Sequence, residues 1–260
     1  MAQRSLIRIK DIQEEAADIM QDREYKAYGL ISLLFDQCSD VLAGLFAGEC
    51  GNGRIAENVK KRIEEDFGLR EVEPQKICVD EFIKARVRDL KLQFPHRKVD
   101  ILCSLEPDLS LYLPEDMLKK IVDGLIKNAV ENTPDQGRIE VRGSKKGGRV
   151  ELVVRDFGIG IAEEHWQKIF QGYLPTQDLM EYSTKRPFDF YAGGKGADLL
   201  RIKIFSEKFN FKISMESEYC SHINLSEDGH CPGIISRCSA CEKTEDCYAG
   251  GGTAFTLYFQ

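Results

Sequence analysis

Residues 127–160 read KNAVENTPDQGRIEVRGSKKGGRVELVVRDFGIG. The segment runs from the end of a helix, through two strands, into a glycine turn. Upstream, Pro114 opens the helix, because its fixed φ suits a first helical position, and Thr133-Pro134 closes it near Asn132. Arg138–Arg142 and Val150–Arg155 read as strands joined by the turn Lys145-Lys146-Gly147-Gly148. Asp156-Phe157-Gly158-Ile159-Gly160 follows the second strand directly.

The neighbouring segments extend this mixed rhythm. Val79–Phe94 reads as a helix and Val99–Leu105 as a strand. Ala197–Asn210 reads as a helix, and Phe211–Ser217 and Thr253–Phe259 as strands. Helices interleaved with strands predict an α+β fold over residues 73–260, a two-layer sandwich with a mixed sheet packed on helices. Residues 1–70 differ. Ala27, Leu30, Leu34, Val41 and Leu45 make one helical face, Cys50-Gly51-Asn52-Gly53 is a turn, and a shorter helix from Ile55 stops at Gly68. That spacing predicts a helical hairpin whose apolar stripes need a second copy, hence a homodimer.

The 260 residues carry 36 Lys+Arg against 43 Asp+Glu, a formal charge of -7, which argues against a general nucleic-acid or membrane-surface binder. At 42% hydrophobic the chain is too apolar to be disordered. No run approaches the roughly 20 apolar residues of a membrane span. The start, MAQRSLIRIK, has no hydrophobic signal core, so a cytoplasmic location is expected.

Three segments carry nucleotide chemistry. Asn128, near the end of the Pro114 helix, offers an amide oxygen to Mg²⁺, which prefers hard oxygen ligands. Asp156, at a strand end, can accept a hydrogen bond from an adenine amino group, and Gly158 and Gly160 let a nucleotide approach the backbone. Gly193-Gly194-Lys195-Gly196 enters a helix and presents backbone N–H groups to phosphates. Singly, each is also what a turn, a surface residue or a helix cap would show. Together, in this order, they are far more specific.

Over residues 73–260 the sequence resembles the ATP-binding domain of sensor histidine kinases, within the wider group of gyrase-type and heat-shock-chaperone ATPases. Asn128 falls at the family's magnesium asparagine, with Asn132 one turn later in the same box. Asp156, Gly158 and Gly160 match the first glycine box, and Gly194, Lys195 and Gly196 the second. Gly251-Gly252-Thr253 resembles the closing Gly-Thr strand, and Ile169-Phe170 the start of the F box, which makes 171–194 the lid. The resemblance implies a protein histidine kinase that takes Mg·ATP, phosphorylates a histidine and serves a response regulator. The alternative is a non-catalytic nucleotide-binding signalling module with the same fold.

The departures fall close to the phosphates. Gly124 stands where the family carries Asn or Glu, Glu131 where a basic residue is usual, and Asp198 where a third glycine is common. Asp123, Lys127 and Lys195 are the candidates to compensate. The four histidines, His96, His165, His222 and His230, all lie outside residues 11–68, so no phosphoacceptor is assignable in this chain.

Cysteines supply a second signal. Cys38, Cys50, Cys78 and Cys103 are scattered and read as buried thiols. Cys220, Cys231, Cys238, Cys241 and Cys247 cluster in an insert over 218–249, where the family has a plain hairpin. The CxxC pair Cys238/Cys241, flanked by Cys231 and Cys247, suits tetrahedral Zn²⁺ of structural or sensory use. An iron–sulfur cluster and free or paired thiols are the alternatives.

Overall fold

The computed structural model describes residues 73–166, 169–170, 186–192, 197–223 and 229–260. The expected hairpin over 1–70, most of the expected lid, and Gly194, Lys195 and Gly196 lie outside the described residues. In chain order the elements are β1 (Gln75–Cys78), α1 (Val79–Lys91), β2 (Asp100–Leu105), β3 (Ser110–Leu113) and α2 (Glu115–Asn132). They continue with β4 (Arg138–Lys146), β5 (Arg149–Asp156), α3 (Ala197–Lys208), β6 (Lys212–Glu218), α4 (Thr244–Gly250) and β7 (Gly252–Phe259).

Five strands form one sheet in the order β2-β4-β5-β7-β6. Only β2 and β4 run parallel, so the sheet is mixed, as expected. Its inner face follows from two-residue alternation: Val150, Leu152 and Val154 on β5 lie beside Phe255, Leu257 and Phe259 on β7, all buried. Helix α1 answers with Val79, Ile83, Val87 and Leu90, spaced by threes and fours. Helix α2 packs against α1, α3 and β5 and buries Leu118, Ile121, Val122, Leu125 and Ile126. Each such side chain contributes about 1.5–3 kcal/mol of burial. No helix among the described residues is long and apolar enough to cross a membrane.

Three local readings change. β1 and β3 pair as a separate antiparallel ribbon that four-residue segments are too short to announce by pattern. The β4–β5 ladder extends to Lys146↔Arg149, so only Gly147-Gly148 turns. Cys78 is exposed and Cys103 half-buried, not buried thiols, because Cys78 sits at the mouth of α1 and donates to Asp80 Oδ1 at 3.3 Å.

The insert between β6 and β7 is ordered where described, although it is poor in apolar side chains. Backbone bonds fasten it to the loop after α2: Asp135 N donates to Gly233 O at 2.8 Å and Ile235 N to Asp135 O at 3.1 Å. The Ser236 amide donates to Gln136 Oε1 at 2.8 Å, and Ile235 is buried.

Candidate functional site

Asp156 ends an alternating row. After Val150, Leu152 and Val154, the next core-facing position of β5 is a carboxylate. It is 5% exposed, and Oδ1 accepts from Gly158 N at 3.1 Å and Thr253 N at 3.3 Å. Thr253 is directly opposite on β7, so the register that builds the sheet also delivers this donor. Burial pushes the Asp156 carboxyl up to about 7, against the pull of those two amides. No other described residue bonds Oδ2, so the site offers that oxygen as an available acceptor.

The turn after Asp156 is seated by backbone. Ile159 N donates to Asn132 O at 3.1 Å, and a Cβ at Gly158 would collide with that same carbonyl oxygen. Ile161 N donates to Ser217 Oγ at 2.8 Å, and Ser217 Oγ also meets Thr253 Oγ1 at 2.9 Å. The end of α2 therefore abuts the Asp156 turn. Asn128, one helical turn back, is half-buried, and its amide has no partner among the described residues. Asn132 uses its own amide to cap Asn128 O at 2.8 Å, so it supports the helix end.

The model of the family described as histidine kinase-, DNA gyrase B-, and HSP90-like ATPase matches residues 114–260. The chain belongs to this family. Among relatives of this ATPase domain, the sensor-like histidine kinase SenX3 of Mycolicibacterium smegmatis is 23% identical over 142 residues, 55% of this chain and 35% of the relative. Histidine protein kinase DivJ of Caulobacter vibrioides is 32% identical over 138 residues, 53% of this chain and 22% of the relative. The chain thus spans about a third or less of these relatives' own length. Full-length ShkA, solved in complex with AMPPNP, superposes with a TM-score of 0.53 at 15% identity, covering 80% of this chain and 37% of that one. At that identity the likeness speaks for the fold. The family match and the named relatives make this an ATP-binding domain of the sensor histidine kinase type.

Within this histidine-kinase-type ATPase domain the phosphate-side departures have structural partners. Gly124 and Asp198 form an exchange: a Cβ at 124 would lie 3.1 Å from Asp198 Cβ and 3.4 Å from Cγ. The bare glycine on α2 leaves the volume that the Asp198 side chain on α3 fills. Asp198 lies 3.6 Å from Lys127 Nζ and 3.4 Å from Arg201 Nη1. Asp123 is not available for the same duty, because Arg86 holds it bidentately at 2.9 and 2.7 Å. The exchange gives a sign test. Gly124→Ala should gain about 0.5–1 kcal/mol of helix propensity in an Asp198→Gly background, yet cost about 1 kcal/mol with Asp198 present. Denaturant melts of the four proteins check this; the same sign in both backgrounds would refute the exchange.

Glu131 is turned away from any phosphate role. It is 2% exposed, and Oε1 accepts from Phe188 N at 3.0 Å while its carbonyl accepts from Tyr191 N at 2.8 Å. Burial raises its carboxyl above the ordinary range, and Lys127 at 3.9 Å opposes the rise. Arg97 is the residue that sequence reasoning missed. Its buried guanidinium donates to Asp135, Val130 O, Thr133 O and Phe188 O. Glu131 and Arg97 together clamp residues 186–192, the described part of the expected lid, onto the end of α2. Charge in a sequence does not announce burial, so only an Arg flanked by Phe94 and Val99 hinted at it.

Proposed function

We propose that the domain binds Mg·ATP in the cleft between the end of α2 and the Asp156 turn and donates its γ-phosphoryl group to a histidine, for relay to a response regulator. The observation that supports it most is Asp156, a buried carboxylate with one oxygen satisfied by two amides and the other open. Such a group matches the exocyclic amino group of adenine and is costly without a partner. Asn128 supplies an amide oxygen, and Asp198 lies beside the neighbouring Lys127, an oxygen set suited to Mg²⁺. When bound, Mg²⁺ neutralises phosphate charge. Lys127, held between Glu131 and Asp198, is positioned as a cation for the same phosphates. Gly194, Lys195 and Gly196 are assigned to the phosphates as well, from their place in the sequence. The acceptor imidazole nitrogen attacks the γ-phosphorus as its bond to the β,γ-bridging oxygen breaks and ADP leaves, with rate coming from positioning and charge neutralisation. The acceptor belongs to another segment or protein, and ShkA, crystallised with AMPPNP, shows the ligand class for a relative. Dimerisation through residues 1–70 and a cytoplasmic setting belong to the same proposal.

The pH dependence tests the adenine assignment. Adenine needs Asp156 as carboxylate, and the free site holds its proton up to about pH 7. Nucleotide affinity should therefore rise as pH climbs through 7 and level off above it. For stability the sign is opposite: the raised folded-state pKa contributes most below the ordinary aspartate value of 3.8 and is lost between 3.8 and about 7. Asp156→Asn should bind MgADP at least about tenfold more weakly at pH 8, and its affinity should stay flat from pH 6 to 8. Calorimetry giving equal affinity for parent and variant would sink the assignment. Labelled ATP then separates the two functions: phosphate transferred to a histidine-bearing partner marks the kinase. Binding without transfer marks the signalling module, the reading favoured by Glu131 being spent on the 186–192 backbone.

A further inference from the structure

Away from the nucleotide cleft, two pieces of the insert bring His222, Cys238 and Cys241 together, with their ligand atoms all within 4.8 Å of one another. Cys241 Sγ lies 3.4 Å from His222 Nδ1. Ligands at about 2.3 Å (sulfur) and 2.0–2.1 Å (nitrogen) from a tetrahedral zinc stand about 3.5 Å apart, so this pair already has the length of a tetrahedral edge. The Cys247 thiol is a hydrogen-bonding neighbour of Cys241 but stands outside the group of three whose ligand atoms are all within 4.8 Å of one another. Cys231, the fourth thiol expected from spacing, belongs elsewhere. It packs with the small apolar cluster of Ile159, Cys220 and Ile223.

The surroundings are shaped for these groups. Cys241 N donates to Cys238 O at 3.2 Å, closing the tight CxxC turn that aims two sulfurs to one side. Helix α4 carries Cys247 and is capped by Asp246, whose Oδ2 accepts from Glu242 N at 2.9 Å and Lys243 N at 3.0 Å. Its last residue, Gly250, makes room for the imidazole: a Cβ there would lie 2.9 Å from His222 Cε1. Ser221 N donates to Gly250 O at 2.9 Å, which fixes the histidine turn against the helix end.

We infer that the insert holds one divalent soft-metal ion, zinc by preference, through Cys238, Cys241 and the Nδ1 of His222, with the neighbouring Cys247 drawn in as the fourth ligand when the ion binds. Three thiolates and an imidazole are a closed tetrahedral set with no open position, so the ion is structural. It ties the start of the insert, the CxxC turn and α4 into one unit, in a segment whose few buried apolar residues leave most of its ordering to other forces. The site stands apart from the cleft. Thr253, which serves Asp156, is held by the β5 and β6 ladders.

The test is a Co²⁺ and Zn²⁺ titration of the reduced, metal-free full chain. The parent should take up one equivalent of Co²⁺, with sulfur-to-metal charge transfer and tetrahedral d–d bands, and Zn²⁺ should displace it. Removing a group that only orients a metal ligand costs about 10–100-fold, so losing a ligand itself through His222→Ala or Cys238→Ser should lower affinity by about a hundredfold or more. Cys231→Ser should leave it within about threefold of the parent. Uptake below about a tenth of an equivalent by the parent would overturn the site. So would metal retained by His222→Ala but lost by Cys231→Ser. Cys238 lies in a half-buried turn, so Cys238→Ser keeps the test decisive if His222→Ala fails to fold, with circular dichroism as the check.

Discussion

Arg97→Met should destabilise the domain by about 3–5 kcal/mol, lowering Tm by about 10 °C or more. The side chain is 4% exposed and meets Asp135 at 2.8 Å, Val130 O at 3.0 Å, Thr133 O at 2.6 Å and Phe188 O at 2.5 Å. Methionine fills most of the volume and satisfies none of these acceptors. Three carbonyls and a carboxylate then lose a charged donor, each loss worth about 1–3 kcal/mol where water cannot replace it. The effect should be uneven. Residues 186–192 lose the bond at Phe188 O but keep Glu131 on Phe188 N and the His96–Asp189 pair at 2.8 Å. Hydrogen exchange should therefore quicken there and in the loop after α2 before it quickens in β5. A thermal melt within 3 °C of the parent would show that water or a rearranged side chain replaces the hub.

Gly160→Ala is the second large effect. Its φ is +69°, which a side chain rarely adopts, and a Cβ would fall on the carbonyl oxygen of Glu218. The left-handed backbone alone costs about 1 kcal/mol, while the collision is with backbone and cannot be relieved by rotating a side chain. Either the Asp156 turn lifts from β6 or the end of β6 moves. Both pull Ile161 N from Ser217 Oγ, the hydroxyl that also touches Thr253. The expected cost is about 3 kcal/mol or more, with nucleotide affinity falling at least about tenfold. Gly147→Ala supplies the control. Gly147 has φ +57° with nothing within 4 Å of a Cβ, so it carries the conformational penalty alone, about 1 kcal/mol, and should leave nucleotide binding unchanged. Equal losses for the two variants would mean that backbone sign, not close approach, explains Gly160.

Much of this was legible in residue order. The Pro114 start and Thr133 stop of α2, the alternation of β5 and β7, and the placing of Asp156 at a strand end and Asn128 near a helix end depend on local propensity and on periods of 3.6 and 2. These are properties of neighbouring residues, so a sequence states them directly. The family followed from the same motifs, since their order along the chain is itself one-dimensional.

What the order of residues could not state is which distant groups share a volume. The exchange of Gly124 with Asp198 joins two helices 74 positions apart (198 − 124), and each residue alone read as a departure. Glu131 looked like a missing cation until Phe188 and Tyr191 were found on it, and Arg97 looked like one more surface charge. The cysteine spacing proposed Cys231 as a ligand, while the fold brought His222 to Cys241 from the far side of the insert and left Cys231 with Cys220. Spacing limits how far a side chain can reach, but only packing decides where it points: one helix end seated on another residue's missing Cβ fixes distances that no local propensity encodes.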